Sequence, residues 1–177
     1  GVPVPAGFPA MSVEEAVEAA GRLPGPLWVI KAQIHAGGRG KGRFRELPEG
    51  AKGGVRLARS PEEVRHHAAE MLGNTLVTVQ TGPAGRQVQR LYVTDGVDIG
   101  QEFYLALLVD RASGRLAIVA SPQGGMDIEQ VAHESPGSIH TLTIDPATGL
   151  QPFHARLVTS ALGLSGATAA QVGPLLE

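Results

Sequence analysis

The spacing of apolar positions switches between two periods along the chain, and each switch marks an element. Val13, Ala16, Val17 and Ala20 form a stripe at helical spacing, opened by Ser12 with Glu15 three residues on, so a capped helix is predicted over 12–21. Pro24, Gly25 and Pro26 end it. The runs LWVIKAQI (27–34), GGVRLA (53–58) and NTLVTVQT (74–81) are each predicted as strands. Between the last two, Ser60, Pro61 and Glu63 have the chemistry of a helix start, and that helix is expected to run to Gly73.

Strands crowd the second half. RQVQRLYVT (86–94), EFYLALLVD (102–110) and RLAIVAS (115–121) are expected as consecutive strands, the last two joined by the turn residues Asp110 to Arg115. MDIEQVAHE (126–134) is predicted as a short helix, IHTLTID (139–145) as a strand and PFHARLVTSALG (152–163) as a helix. The texture changes between Thr94 and Gly100. The expectation is therefore an α+β chain in two lobes, 1–94 and 95–177.

Composition narrows the chemistry. The 177 residues are 42% hydrophobic and carry a formal charge of -2, which argues against a generally basic nucleic-acid binder. No cysteine is present, so disulfides and thiol chemistry are excluded. No apolar run approaches the roughly 18 residues of a membrane span. GVPVPAGFPA has no signal-peptide character. It reads as the middle of a longer chain, and ATAAQVGPLLE stops within a helical pattern, so a piece truncated at both ends is expected.

Candidate chemistry gathers in KAQIHAGGRGKGRFR (31–45), which places four glycines and a cluster of basic residues just after a strand. Glycines let backbone N–H groups approach an anion, and phosphate suits such a loop. It is neither a P-loop, since His35 and Gly42 break that pattern, nor a dinucleotide fingerprint, since Arg43 stands where the third glycine belongs. A solvated flexible hairpin is the structural alternative. Lys31 adds a second clue. Arginine outnumbers lysine twelve to three in this chain, and a compact ammonium grips a phosphate at a point as a guanidinium does not. A charge at the end of a buried strand points into a cleft or snorkels to water, and the neighbouring loop favours the cleft.

Taken in order, VIKAQIHAGGRGKG, KGGVRLA, LGNTLVTVQTGPAG, DIGQEFYLALLVDR, GGMDIEQVA and DPATGLQPF resemble the β subunit of succinate–CoA ligase, an ATP-grasp protein, over essentially the whole chain. The malate–CoA ligase β subunit shares most of these segments. The resemblance implies a two-lobed ATP-grasp fold and an ATP-dependent acid–thiol ligase in which succinate, CoA and ATP give succinyl-CoA, ADP and phosphate. It also implies a phosphohistidine on a partner α subunit, Mg²⁺, and a bacterial cytoplasmic or mitochondrial-matrix setting. Position by position, Lys31 matches a lysine on nucleotide phosphate, Gly38, Arg39 and Gly40 the loop over the phosphates, and Glu102 an acid of the nucleotide site. Pro5 matches a proline of ATP-preferring members, which tilts the reading from GTP toward ATP.

Three departures accompany the likeness. Thr94 stands where the family carries a ribose-binding glutamate; losing one such hydrogen bond costs on the order of 1 kcal/mol, unless Asp95 substitutes. Gln123 in SPQGG replaces an acid of succinate-type members, a change that malate-type members share. The family's Mg²⁺ ligands and its CoA-ligase domain are absent from these residues, so the chain is expected to hold nucleotide without turning over.

Other candidates carry less. His66 and His67, adjacent on a helix, are expected to point about 100° apart and not to converge on one ion. No catalytic or metal residue is assigned. A nucleic-acid contact through Arg39, Lys41, Arg43 and Arg45 with Phe44 interleaved is the rival for loop 39–45, weakened by Glu46 and Glu49. A purely structural piece that docks an α subunit is the third reading.

Overall fold

The computed structural model describes residues 2–125 and 127–176. In chain order run β1 (Gly7–Ala10), α1 (Val13–Gly21), β2 (Trp28–Ala32), β3 (Arg43–Phe44), β4 (Val55–Ala58), α2 (Pro61–Met71), β5 (Thr75–Val77), β6 (Arg86–Gln87) and β7 (Leu91–Asp95). They are followed by β8 (Tyr104–Asp110), β9 (Arg115–Ser121), α3 (Ile128–Glu134), β10 (His140–Ile144), α4 (Pro152–Ala161), α5 (Gly166–Ala169) and α6 (Val172–Leu176). Single 3-10 turns lie at Arg39–Lys41 and Pro136–Ser138. The α+β composition is as expected. The chain divides into two compact units, Val4–Asp98 and a second made of Gly1–Pro3 with Ile99–Glu177.

The Val4–Asp98 unit is built on an antiparallel sheet of order β1-β7-β2-β4. One face of it, carrying Ile30, Ala32, Ala58, Leu91 and Val93, is closed over by Ala16, Ala19 and Ala20 of α1 and by Val64, Ala68 and Met71 of α2. Each large apolar side chain fully buried here stabilises by about 1.5–3 kcal/mol. Alanines on α1 let that helix lie close to the sheet. Both helices begin as expected: Ser12 Oγ accepts from the Glu15 N–H at 3.1 Å, and Ser60 Oγ from the Glu63 N–H at 3.2 Å. A small sheet of order β3-β5-β6 joins the same core through Phe44 and Leu76.

Several boundaries differ from the expectation for identifiable reasons. The segment 74–81 is strand only over Thr75–Val77, because Thr78 and Thr81 exchange side-chain hydrogen bonds that close a turn. The segment 86–94 splits into β6 and β7, so that one run of sequence serves two sheets. β1 has no apolar alternation to announce it; Pro9 is tolerated because β1 pairs with β7 alone, at the sheet edge. The helix expected over 126–134 runs from Ile128, and Met126 lies outside the described residues.

The second unit is an antiparallel meander of order β10-β9-β8. Asp110 organises its hairpin: the carboxylate accepts from the Ala112 N–H at 3.0 Å and the Ser113 hydroxyl at 2.6 Å, while Gly114 takes φ 68°. Ile118, Ala120 and Ile144 of the sheet pack with Val158 and Leu162 of the α4 segment and with Val172 of α6.

Candidate functional site

Register places Lys31 and Thr94 on one face. Lys31 pairs with Tyr92 and with Val55, and Val29, two residues back, pairs with Thr94 and with Leu57. Directly paired residues and alternate residues share a side of a sheet. This face therefore carries Val29, Lys31, Val55, Leu57, Tyr92 and Thr94, opposite the face that α1 and α2 cover. Val55 and Leu57 are 41% and 56% exposed, and Lys31 is half-buried. Thr94 is 3% exposed, and its Oγ1 has no hydrogen-bond partner. This buried, unanswered hydroxyl lies two residues along the same face from Tyr92, Lys31's partner. Gly7 makes room there: a Cβ on it would sit 2.8 Å from the Tyr92 ring and 2.9 Å from Thr94 Cγ2.

The glycine-rich loop leaves β2 after Ala32, one residue beyond Lys31. Gly38 adopts φ 69°, which an L side chain resists, and turns the chain into the 3-10 turn. The first N–H groups of a helical turn have no carbonyl within it to receive them, and at Gly38 and Gly40 no side chain screens the backbone. The loop is not a free hairpin. Gly37 N–H donates to Gln80 Oε1 at 2.7 Å, Gly54 N–H to the Arg39 carbonyl at 2.8 Å and Ala32 N–H to the Gly54 carbonyl at 2.7 Å. Two glycine strings thus lie backbone on backbone. A Cβ on Gly53 would overlap the Gly40 carbonyl and stand 2.8 Å from that of Gly42. Sequence reasoning took 53–58 as strand alone and missed this role; the doubled glycine at 53–54 was the available signal.

The basic side chains divide in their tasks. Arg39 turns back, donating from Nη1 to the Ala32 carbonyl at 3.1 Å and to Gln33 Oε1 at 3.3 Å. Arg45 clamps the 83–84 turn through the Pro83 and Ala84 carbonyls at 2.9 and 2.7 Å. Lys41 and Arg43 are exposed. Phe44 is 1% exposed and belongs to the core, so it offers no ring for a base to stack on. The nucleic-acid reading of loop 39–45 loses its aromatic.

Of the remaining expected residues, Pro5 is exposed ahead of β1. Asp95 does not stand in for Thr94; its carboxylate accepts from the Gly25 N–H at 3.2 Å and holds the turn before β2. Glu102 lies in the second unit, exposed, with its carbonyl accepting from the Gly124 N–H at 3.0 Å. The doubled glycine after Gln123 is required there: a Cβ on Gly124 would meet the backbone of Glu102 and Phe103 at 2.5 Å, and one on Gly125 the Glu102 carboxylate. A cavity of the Val4–Asp98 unit, about 760 Å³, is lined by Gln33, Ile34, His35, Arg86 and Arg90 among others, past the end of β2. Lys31 and Thr94 do not line it.

The exposed glycine backbone, Lys31 and the orphaned Thr94 hydroxyl fit a phosphate-bearing ligand. Mg²⁺ is another matter. Among the described residues the one group of three ligand side chains is His66, His67 and Glu70 on α2, with donor atoms within 4.8 Å of one another. The two rings, expected to point about 100° apart, are tilted by 49° with centroids 5.5 Å apart, and Glu70 lies one turn on. Two imidazoles do not suit a hard cation that demands oxygen, so this cluster does not fit Mg²⁺. No helix among the described residues is long and apolar enough to cross a membrane.

Comparison with known proteins finds relatives along the whole chain. The chain is 64% identical over all 177 residues to the succinate–CoA ligase [ADP-forming] subunit β of Rhizorhabdus wittichii and 65% identical over 177 residues to that of Novosphingobium aromaticivorans. It spans 44% of the length of each of these relatives. Among solved structures, Ca. Korarchaeum cryptofilum ACD1 in complex with coenzyme A shares the fold at a TM-score of 0.63 and 20% identity, covering 98% of this chain and 70% of that one. The ATP-grasp domain family matches residues 1–176. A sheet backed by two helices, with a glycine loop at the end of its lysine-bearing strand, is thus accounted for along nearly every residue: the chain belongs to the ATP-grasp family.

Proposed function

We propose that this chain is the nucleotide-gripping part of the β subunit of an ADP-forming succinate–CoA ligase, which converts succinate, CoA and ATP to succinyl-CoA, ADP and phosphate. The observation that carries the reading is that Lys31 and the unanswered Thr94 hydroxyl share the sheet face opposite α1 and α2, with the glycine loop anchored at the end of the same strand. The Lys31 ammonium serves as a point charge on phosphate. At 4 Å and surface-like screening such a pair is worth about 4 kcal/mol before desolvation. Backbone N–H groups of Gly38 to Gly40 add donors without side chains in the way. Arg39, tied to the strand end, shapes the loop. Thr94 offers one hydroxyl to the sugar. Glu102 and Pro5 are proposed contacts on the family likeness, and Pro5 favours ATP over GTP.

An α subunit as partner, Mg²⁺ for turnover and a cytoplasmic setting belong to the same proposal. The chain alone is expected to bind nucleotide without turning over. Calorimetric titration with ATP and with GTP, with and without Mg²⁺, tests the reading against Lys31→Ala. Saturable ATP binding that disappears in a folded Lys31→Ala variant supports it; equal binding by both proteins sinks it.

A further inference from the structure

We infer that His66, His67 and Glu70 of α2 form a binding site for a divalent transition metal, of which Zn²⁺ is the best match, independent of the nucleotide reading. The donor atoms of the three residues lie within 4.8 Å of one another, and His66 Nε2 is 3.6 Å from Glu70 Oε1. The two ring centroids are 5.5 Å apart. Spacings of i, i+3 and i, i+4 bring Glu70 against both histidines on adjacent turns of the helix.

The second observation is a buried orphan. His67 is 6% exposed, and its Nε2 lies 3.2 Å from the Leu57 carbonyl. A carbonyl can only accept, so Nε2 holds the ring proton and Nδ1 presents a lone pair. That Nδ1 is buried with no hydrogen-bond partner. A buried acceptor left unanswered is costly, and a metal ion would answer it.

The supporting shell has the arrangement metal sites use. Ligating histidines commonly donate their other ring N–H to a backbone carbonyl, and ligating carboxylates are themselves hydrogen-bonded. Leu57 supplies the first. Arg56 supplies the second by holding Glu70 Oε2, which leaves Oε1 toward His66. Arg56 is in turn fixed by the Gly53 and Lys52 carbonyls at 3.0 and 2.8 Å. Two nitrogens and one carboxylate oxygen, with a fourth position left for water, are donors of the Zn²⁺ type. Donors around tetrahedral Zn²⁺ stand about 3.3 Å apart, given Zn–N bonds of about 2.0–2.1 Å. His66 is 65% exposed at its side chain and can swing that distance, whereas His67 and Arg56 stay put. Arg56 and Lys52 oppose an added cation; Glu70 and Glu63, on the same concave surface, offset them.

The test titrates the metal-free chain with Zn²⁺ alone by calorimetry and with Co²⁺ by visible absorption. One Zn²⁺ per chain and the d–d bands of four-coordinate Co²⁺ are expected. His66→Ala should weaken binding by at least about 100-fold, since even outer partners of metal sites cost 10–100-fold when removed. His35→Ala, at an exposed histidine elsewhere in the unit, should leave it unchanged. Nitrogen NMR of the histidine rings gives a readout that needs no variant: Zn²⁺ should shift His67 Nδ1. Absence of saturable binding, binding undiminished in His66→Ala, or a His67 Nδ1 signal that ignores Zn²⁺ would each overturn the assignment.

Discussion

Replacing Thr94 by valine separates what this residue does for the fold from what it does for the ligand. Thr94 is 3% exposed, and its hydroxyl has no partner. Leaving a buried hydroxyl unanswered costs about 1–3 kcal/mol. Valine keeps Cγ2, which faces the gap left by Gly7, and substitutes a methyl for Oγ1, so the shape is preserved while the cost is removed. A gain of about 1–2 kcal/mol is expected, and for a chain of this size that raises the thermal midpoint by roughly 2–8 °C. Thr94→Ser is the counterpart: it keeps the hydroxyl, loses the methyl and should be destabilised by about 1 kcal/mol. Thermal unfolding followed by circular dichroism reads both. The same scans in saturating ATP read the ligand's share: wild type should be stabilised by nucleotide more than Thr94→Val is. Loss of stability in the nucleotide-free valine variant would refute the reasoning, because it would mean that the hydroxyl is already bonded.

Three further outcomes are expected. Gly53→Ala drives a Cβ into the Gly40 carbonyl; overpacking of backbone costs about 1–3 kcal/mol, and nucleotide affinity should fall with it, whereas Gly21→Ala, at a helical glycine whose Cβ would meet nothing, should leave affinity unchanged. Ser60→Ala removes the cap of α2 and should lower stability by about 1 kcal/mol in denaturant titration. Acid should loosen the Val4–Asp98 unit through Glu46, whose carboxylate is held below its ordinary range by the Thr75 N–H at 2.8 Å. A lowered carboxylate contributes its stability fully above the unfolded value of about 4.3 and loses it as pH falls through the lower folded value. Glu46→Gln should therefore flatten the stability profile below about pH 4 and leave the neutral plateau with a smaller offset.

Helix starts were the most legible part of the chain. Ser12 and Ser60 cap as their sequences announce, because the N-cap bond is made within four residues and needs no distant partner. Hairpin 110–115 was legible for the same reason. Strand limits were not. The segment 86–94 is divided because its first residues pair with β5 and its last with β1 and β2, and that choice belongs to distant strands. β1 was invisible because an edge strand with proline needs only one neighbour.

The candidate site divides along the same line. Lys31 and its glycine loop could be named from the sequence, since a phosphate loop is continuous in the chain and its residue types are its chemistry. That Thr94 shares a sheet face with Lys31 depends on antiparallel register across β2 and β7, which no local pattern states. That Gly53 and Gly54 carry the loop depends on two backbones meeting, and that Phe44 is core and not a stacking platform depends on the small sheet closing over it. The sequence by itself determined the elements with local signals and the residue types of a phosphate grip. Tertiary structure alone decided which hydroxyl stays unanswered, which arginines are already bonded to carbonyls and which ring nitrogen of His67 is left without a partner, because burial and hydrogen-bond completion are properties of neighbours that the chain brings together only on folding.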